Sequence, residues 1–140
     1  MAESIKLNYV VPGDDFTRAG EASSSVKKVL KQLGIDPETI RRVSISLYEG
    51  EINMVIHGKG GVIDVEIEDE YIKMALADKG PGIPDVEKAM QAGYSTAPDN
   101  VRSLGFGAGM GLPNMKKYTD EMRIESKVGE GTTVYMTVKV

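Results

Sequence analysis

Hydrophobic and polar positions along the chain fall into short alternating runs and longer stretches of helical spacing. "IKLNYVV" (5–11) alternates and is rich in β-formers, which predicts a strand closed by Pro12-Gly13. Residues 15–33 place Val26, Val29, Leu30 and Leu33 on one helical face before Gly34. In "DPETIRRVSISLYEGEINMVIHG" (36–58), Asp36 suits an N-cap, Pro37 the first helical position and Gly58 the stop. "GVIDVEIEDEYIKMALAD" (61–78) holds two alternating runs about an acidic turn at Asp69-Glu70, the pattern of a hairpin. A short helix is predicted over 84–93, then a polar, glycine-rich stretch without periodicity over 94–110. A helix over 110–120 is compatible with Pro113 if that proline lies in the first turn. "EMRIESKV" and "TTVYMTVKV" form a second hairpin across "GEG" (129–131). Strands arriving in pairs between helices predict an α+β fold: a two-layer sandwich, with helices on one face of a mixed, mostly antiparallel sheet.

Composition narrows the function classes. With 140 residues, 41% of them hydrophobic, the chain suits one domain with its own core. Net charge is −4, with Lys and Arg spread along the chain, which argues against a nucleic-acid-binding face. Zero cysteines exclude disulfides and thiolate metal sites, and one histidine excludes a multi-histidine zinc site. No signal-peptide pattern and no apolar run of membrane length is visible, so a cytoplasmic protein is expected.

Three stretches could carry chemistry. In the helix 36–58, Ile40, Val43, Leu47, Ile52, Val55 and Ile56 are apolar, yet Glu49, Asn53 and His57 recur at i, i+4 and i+8. That stripe is either solvated or faces a cleft, where an Asn oxygen is a neutral hard ligand suited to Mg²⁺. Glu51 points elsewhere and is expected at the surface. "ADKGPGIPD" (77–85) is either a turn leaving a sheet or a base-binding corner, because the Asp78 carboxylate accepts hydrogen bonds from an exocyclic amino group. The third, "LGFGAGMGLPNMKK" (104–117), has glycines at 105, 107, 109 and 111. It fits neither the dinucleotide fingerprint nor the P-loop, since no glycine stands where the third is needed and no Lys follows a glycine. A flexible loop or a row of phosphate-binding backbone N–H groups remains.

Taken together and in order, Glu49-x-x-x-Asn53, Asp78-x-Gly80-x-Gly82-Ile83, Gly107-x-Gly109-x-Gly111-Leu112 and Gly131-Thr132 resemble the boxes of one ATPase superfamily. It includes gyrase, heat-shock chaperones, histidine kinases and mismatch-repair proteins, and its nucleotide site is the Bergerat fold. Within it, the chain looks most like the anti-sigma-factor serine/threonine kinases. The "GEI" between Glu49 and Asn53 departs from the small residues common there.

The resemblance implies ATP and Mg²⁺ as cofactors, with Asn53 coordinating the metal. Asp78 would accept the adenine amino group, supported by Thr132 through water, and Gly80, Gly82 and Ile83 would shape the adenine pocket. Gly105, Gly107, Gly109, Gly111 and Leu112 would form the phosphate end of a lid over 94–110. Glu49 would be the general base for transfer to a serine on a small antagonist protein, with a sigma factor as a further partner and room for a homodimer. Arg102 and Lys116 are weaker candidates for the terminal phosphate. His57, alone on this helix, is read as a pocket-edge or structural histidine rather than a phosphoacceptor. An ATP-gated binding switch with little catalysis, or a detached histidine-kinase catalytic domain, are the alternatives.

Overall fold

The computed structural model describes residues 4–13, 18–56, 59–80, 82, 90 and 111–140. Five strands, β1 (Ile5–Pro12), β2 (Gly60–Ile67), β3 (Tyr71–Asp78), β4 (Glu121–Lys127) and β5 (Gly131–Lys139), form one sheet in the order β1-β2-β3-β5-β4. Three helices are described: α1 (Glu21–Gln32), α2 (Pro37–Ile56) and α3 (Gly111–Lys117). The helix expected over 84–93 and the stretch 94–110 lie outside the described residues, apart from Met90.

The strands alternate cleanly. Leu7, Val65, Met74, Met136 and Met122 are successive register partners across all five strands, and Tyr9, Ile63, Leu76, Val134 and Ile124 form the next row. Both rows face the helices, where Ile63, Val65, Met74, Leu76 and Met136 are buried with Val26, Leu30, Val43 and Leu47. Each such aliphatic side chain contributes about 1.5–3 kcal/mol on leaving water. The opposite face is polar. There Asn8 donates to Asp64 at 2.6 Å, and the Arg123 guanidinium lies 4.3 Å from the centre of the Tyr135 ring.

All four strand pairings are antiparallel, so the mixed component anticipated from sequence is not found among the described strands. The connections explain three of the four. Hairpins join β2 to β3 and β4 to β5, while the α1–α2 pair carries the chain away from the end of β1 and back to it.

Helix ends follow local chemistry. Asp36 Oδ2 accepts from the backbone N–H groups of Glu38 and Thr39 at 3.0 and 3.4 Å, which fixes the start of α2 as expected. After α1, Gly34 is left-handed (φ 72°), with Gly34 N donating to Lys31 O and Ile35 N to Leu30 O. These two bonds make a Schellman stop. At its other end, α1 begins at Glu21, later than the periodicity from residue 15 suggests, because Gly20 is itself left-handed (φ 98°) and starts the turn.

Arg42 of α2 is tied to the far end of the sheet. Its guanidinium pairs with Asp120 Oδ2 at 3.1 Å, and that oxygen also accepts from the Lys139 backbone N–H at 2.7 Å. The Lys139 hydrogen bond and then the Arg42 charge hold the Asp120 carboxyl below the usual carboxylate range, against the opposing effect of partial burial. A depressed folded-state value gives stability that is present above the unfolded pKa of about 3.9 and lost as pH falls through the folded value. Asp120→Asn is therefore expected to lower stability at pH 7 by about 1 kcal/mol or less, as a partly solvated pair should. Urea unfolding at pH 7 and at pH 2 checks this: the gap between the two proteins closes in acid.

Candidate functional site

One end of the sheet gathers the sequence motifs. The inward row Val11, Gly61, Asp78, with Thr132 and Ser126 on the neighbouring strands, continues the two apolar rows but is polar on its β3–β5–β4 side. Asp78 thus shares the face of Met74 and Leu76, beneath the helices. Its Oδ1 accepts from Thr132 N and Gly80 N, both at 3.0 Å. Two backbone donors on one oxygen fix the carboxylate plane. Thr132 is buried, and its hydroxyl meets Ser126 Oγ at 2.8 Å.

The backbone makes room for this corner. Gly131 has φ 124°, and a Cβ there would collide with the Asp78 carbonyl. Gly82 (φ 82°) lies against the end of β4, where a Cβ would stand 2.5 Å from the Lys127 carbonyl oxygen. Gly82 is thereby packed onto the β4–β5 hairpin.

Gly50 brings the other motif-bearing elements to the same place. A Cβ on Gly50 would collide with Leu76 Cδ2 and press on Met115 Sδ at 3.3 Å. Both neighbours are fully buried and cannot yield cheaply. So α2 crosses β3 two residues before Asp78, with α3 packed alongside. Glu49 and Asn53 flank Gly50 on the adjacent side of α2, both half-buried. Among the described residues, neither side chain has a hydrogen-bond or ion-pair partner.

The remaining sequence candidates divide. Gly80 is buried beside Asp78, and Gly111 opens α3. Leu112 sits in the hydrophobic core with Met115. Lys116 is exposed on α3. Ile83, Gly105, Gly107, Gly109, Arg102 and His57 lie outside the described residues.

Glu51 corrects the sequence reading. It is not at the surface but only 2% exposed. Oε2 accepts from Gly20 N at 2.9 Å and Ala22 N at 3.2 Å. Oε1 accepts from Ser23 N at 3.0 Å and Ser23 Oγ at 2.6 Å. The carboxylate caps α1 from another helix, placing negative charge at the positive helix end. The reason is tertiary: α1 has no side-chain N-cap of its own.

A two-layer fold with an aspartate corner at the sheet end and a polar helix stripe beside it defines a class of nucleotide-using domains. The chain belongs to the histidine kinase-like ATPase domain family, whose model matches residues 14–138. Among its relatives, the anti-sigma F factor of Clostridium acetobutylicum is 38% identical over 112 residues, 75% of either chain. The serine/threonine-protein kinase RsbT of Bacillus subtilis is 33% identical over 112 residues, 77% of this chain and 78% of its own. The fold also matches the structure of the RsbU and RsbW domains of Rv1364c from Mycobacterium tuberculosis, with a TM-score of 0.66 at 19% identity. That match covers 96% of this chain and 32% of the other. Among the described residues, no helix is long and apolar enough to cross a membrane.

Proposed function

We propose that this chain is a Mg-ATP-dependent serine kinase of the anti-sigma-factor type, acting on a serine of a small partner protein and regulating transcription through partner binding. The observation that carries the reading is the pairing of two features at one end of the fold. A carboxylate and a carboxamide stand half-buried and unpartnered among the described residues, on the turn of α2 whose Gly50 packs on Leu76. Two residues beyond Leu76 in β3 is an aspartate aligned by two backbone N–H groups. The similarity to an anti-sigma factor and to a serine/threonine kinase supports it.

The donor set fits the cofactors. Asp78, oriented through Oδ1, suits an adenine amino group, and buried Thr132 and Gly80 hold that orientation. Asn53 is the residue that would hold Mg²⁺. Among the described residues no cluster of three or more His, Asp or Glu could hold a metal. A single Asn plus phosphate oxygens and water is the kind of coordination Mg²⁺ accepts. Bound ATP supplies the phosphoryl group to be transferred. Glu49 accepts the proton of the serine hydroxyl as its oxygen bonds to phosphorus and the bond to ADP breaks. Such transfer needs chiefly positioning and charge neutralisation, so one carboxylate suffices from this helix.

The test is incubation with ATP, Mg²⁺ and the proteins encoded by neighbouring genes, followed by mass spectrometry. Acid-stable phosphoserine is expected on one of them. Glu49→Ala should lower the transfer rate about 100-fold or more while ATP still binds. Acid-labile phosphate, or no transfer to any candidate despite bound ATP, would contradict the reading.

A further inference from the structure

We propose that Glu51 is a positioning residue for this site: it sets where Glu49 and Asn53 point without touching nucleotide itself. The inference rests on the kinase reading above and concerns the feature that the sequence alone misplaced.

At 3.6 residues per turn, Glu51 lies about 160–200° around α2 from the stripe of Glu49 and Asn53. On that far side its carboxylate takes four hydrogen bonds from Gly20, Ala22 and Ser23. At about a right angle to both, Gly50 seats α2 on Leu76 and Met115 with no space to spare. The same turn is thus held on two sides, and its third side is the one that carries the chemistry.

Rotation is the motion this arrangement resists. Helix side chains extend about 5–6 Å from the axis, so a turn of about 10° displaces a carboxylate by about 1 Å. Misplacement of that size costs about 100-fold in a reaction that depends on alignment. Core packing of Val43, Leu47, Met54 and Val55 and the seating at Gly50 hold α2 on the sheet, but apolar contacts are not directional. Four directional bonds at Glu51 narrow the azimuth of this turn further.

The choice of residue supports the assignment. A buried carboxylate is costly unless fully bonded, and an apolar residue would fill the space between two helices more cheaply. At the same time α1 starts with Gly20, which offers no side-chain cap, so its first donors are left to Glu51. Each helix end needs the other, and the nucleotide-facing turn of α2 is where they meet.

The experiment is a double-mutant cycle with two readouts. Glu51→Gln is combined with wild type and with Glu49→Ala for the single-turnover transfer rate. It is combined with wild type and with Asn53→Ala for the gain in ATP affinity on adding Mg²⁺. Circular dichroism and urea unfolding establish that each variant is folded under assay conditions. Glu51→Gln is expected to lower the wild-type rate about 10- to 100-fold but the residual Glu49→Ala rate less than about 3-fold. Likewise it should shrink the Mg²⁺-dependent gain in wild type and leave the Asn53→Ala protein unchanged. Ser23→Ala, which removes one of the four bonds, follows the same pattern at smaller amplitude and serves if Glu51→Gln does not fold. Folded variants with wild-type rate and Mg²⁺ gain, or with equal losses in every background, would overturn the inference. Wild-type protein that binds no ATP would instead remove the kinase reading, and this inference with it, before any Glu51 variant is compared.

Discussion

Glu51→Ala is expected to destabilise the fold by about 3–5 kcal/mol, the scale of removing one partner from a buried charge network. The carboxylate is 2% exposed and accepts from three backbone N–H groups and one hydroxyl. Alanine leaves all four donors without their acceptor, each costing about 1–3 kcal/mol if water cannot reach it. Partial hydration of the α1 start keeps the sum below the simple total. The lost charge at the helix N-terminus adds to the penalty. For a domain of this size the change corresponds to a fall in Tm on the order of 10–15 °C. Differential scanning calorimetry measures it directly. Ser23→Ala, losing one bond, should cost only about 1 kcal/mol in the same experiment. A Glu51→Ala protein melting within 2 or 3 degrees of wild type, roughly the effect of a surface change, would mean that Glu51 is solvated after all.

The burial of Glu51 lies beyond what local sequence pattern encodes. The start of α2 is written locally in Asp36 and Pro37, and its buried face in Ile40, Val43 and Leu47. Both hairpins follow from strict alternation about short polar turns. Glu51, by contrast, finds its partners 28 to 31 positions upstream, and only the packing of α1 on α2 brings them there. A signal was present nonetheless: a carboxylate set among Gly50, Ile52, Met54 and Val55, all of them buried. Helical spacing alone assigned Glu51 to a different face from Glu49, correctly, but could not say what covers that face.

The aspartate corner was legible in another way. Asp78 and Thr132 belong to strands β3 and β5, which are not consecutive, and no periodicity pairs them. The order and spacing of the motifs pointed to them through family resemblance, and the Thr132 N to Asp78 Oδ1 bond shows that they are neighbours. The start of α1 was less legible. Apolar spacing constrains the middle of a helix more than its ends, and the left-handed Gly20 delays the first turn to Glu21.

Asp78→Asn is the second change with a large expected effect, this time on binding rather than stability. The amide keeps an oxygen able to accept from Gly80 and Thr132, so these two bonds are retained. On the proposed reading it also replaces an acceptor with an NH₂ donor, which would meet the adenine amino group donor to donor. Losing that bond and opposing two donors in a confined pocket should weaken ATP binding by about 100-fold or more, since a buried mismatch of this kind costs about 3 kcal/mol. The melting temperature without nucleotide should move far less than in Glu51→Ala. Loss of ATP binding with a retained fold would separate the nucleotide role of Asp78 from its structural one.

On the proposed reading, the Asp78 corner and the Asn53 stripe are two halves of one Mg-ATP site. Isothermal titration of ATP with and without Mg²⁺ tests it most directly, in wild type, Asp78→Asn and Asn53→Ala. Wild type should bind ATP more tightly when Mg²⁺ is present. Asp78→Asn should lose binding in both conditions, and Asn53→Ala should bind equally with and without the metal. An Asn53→Ala protein that keeps the full Mg²⁺-dependent gain, or an Asp78→Asn protein that binds ATP as wild type does, would contradict the account.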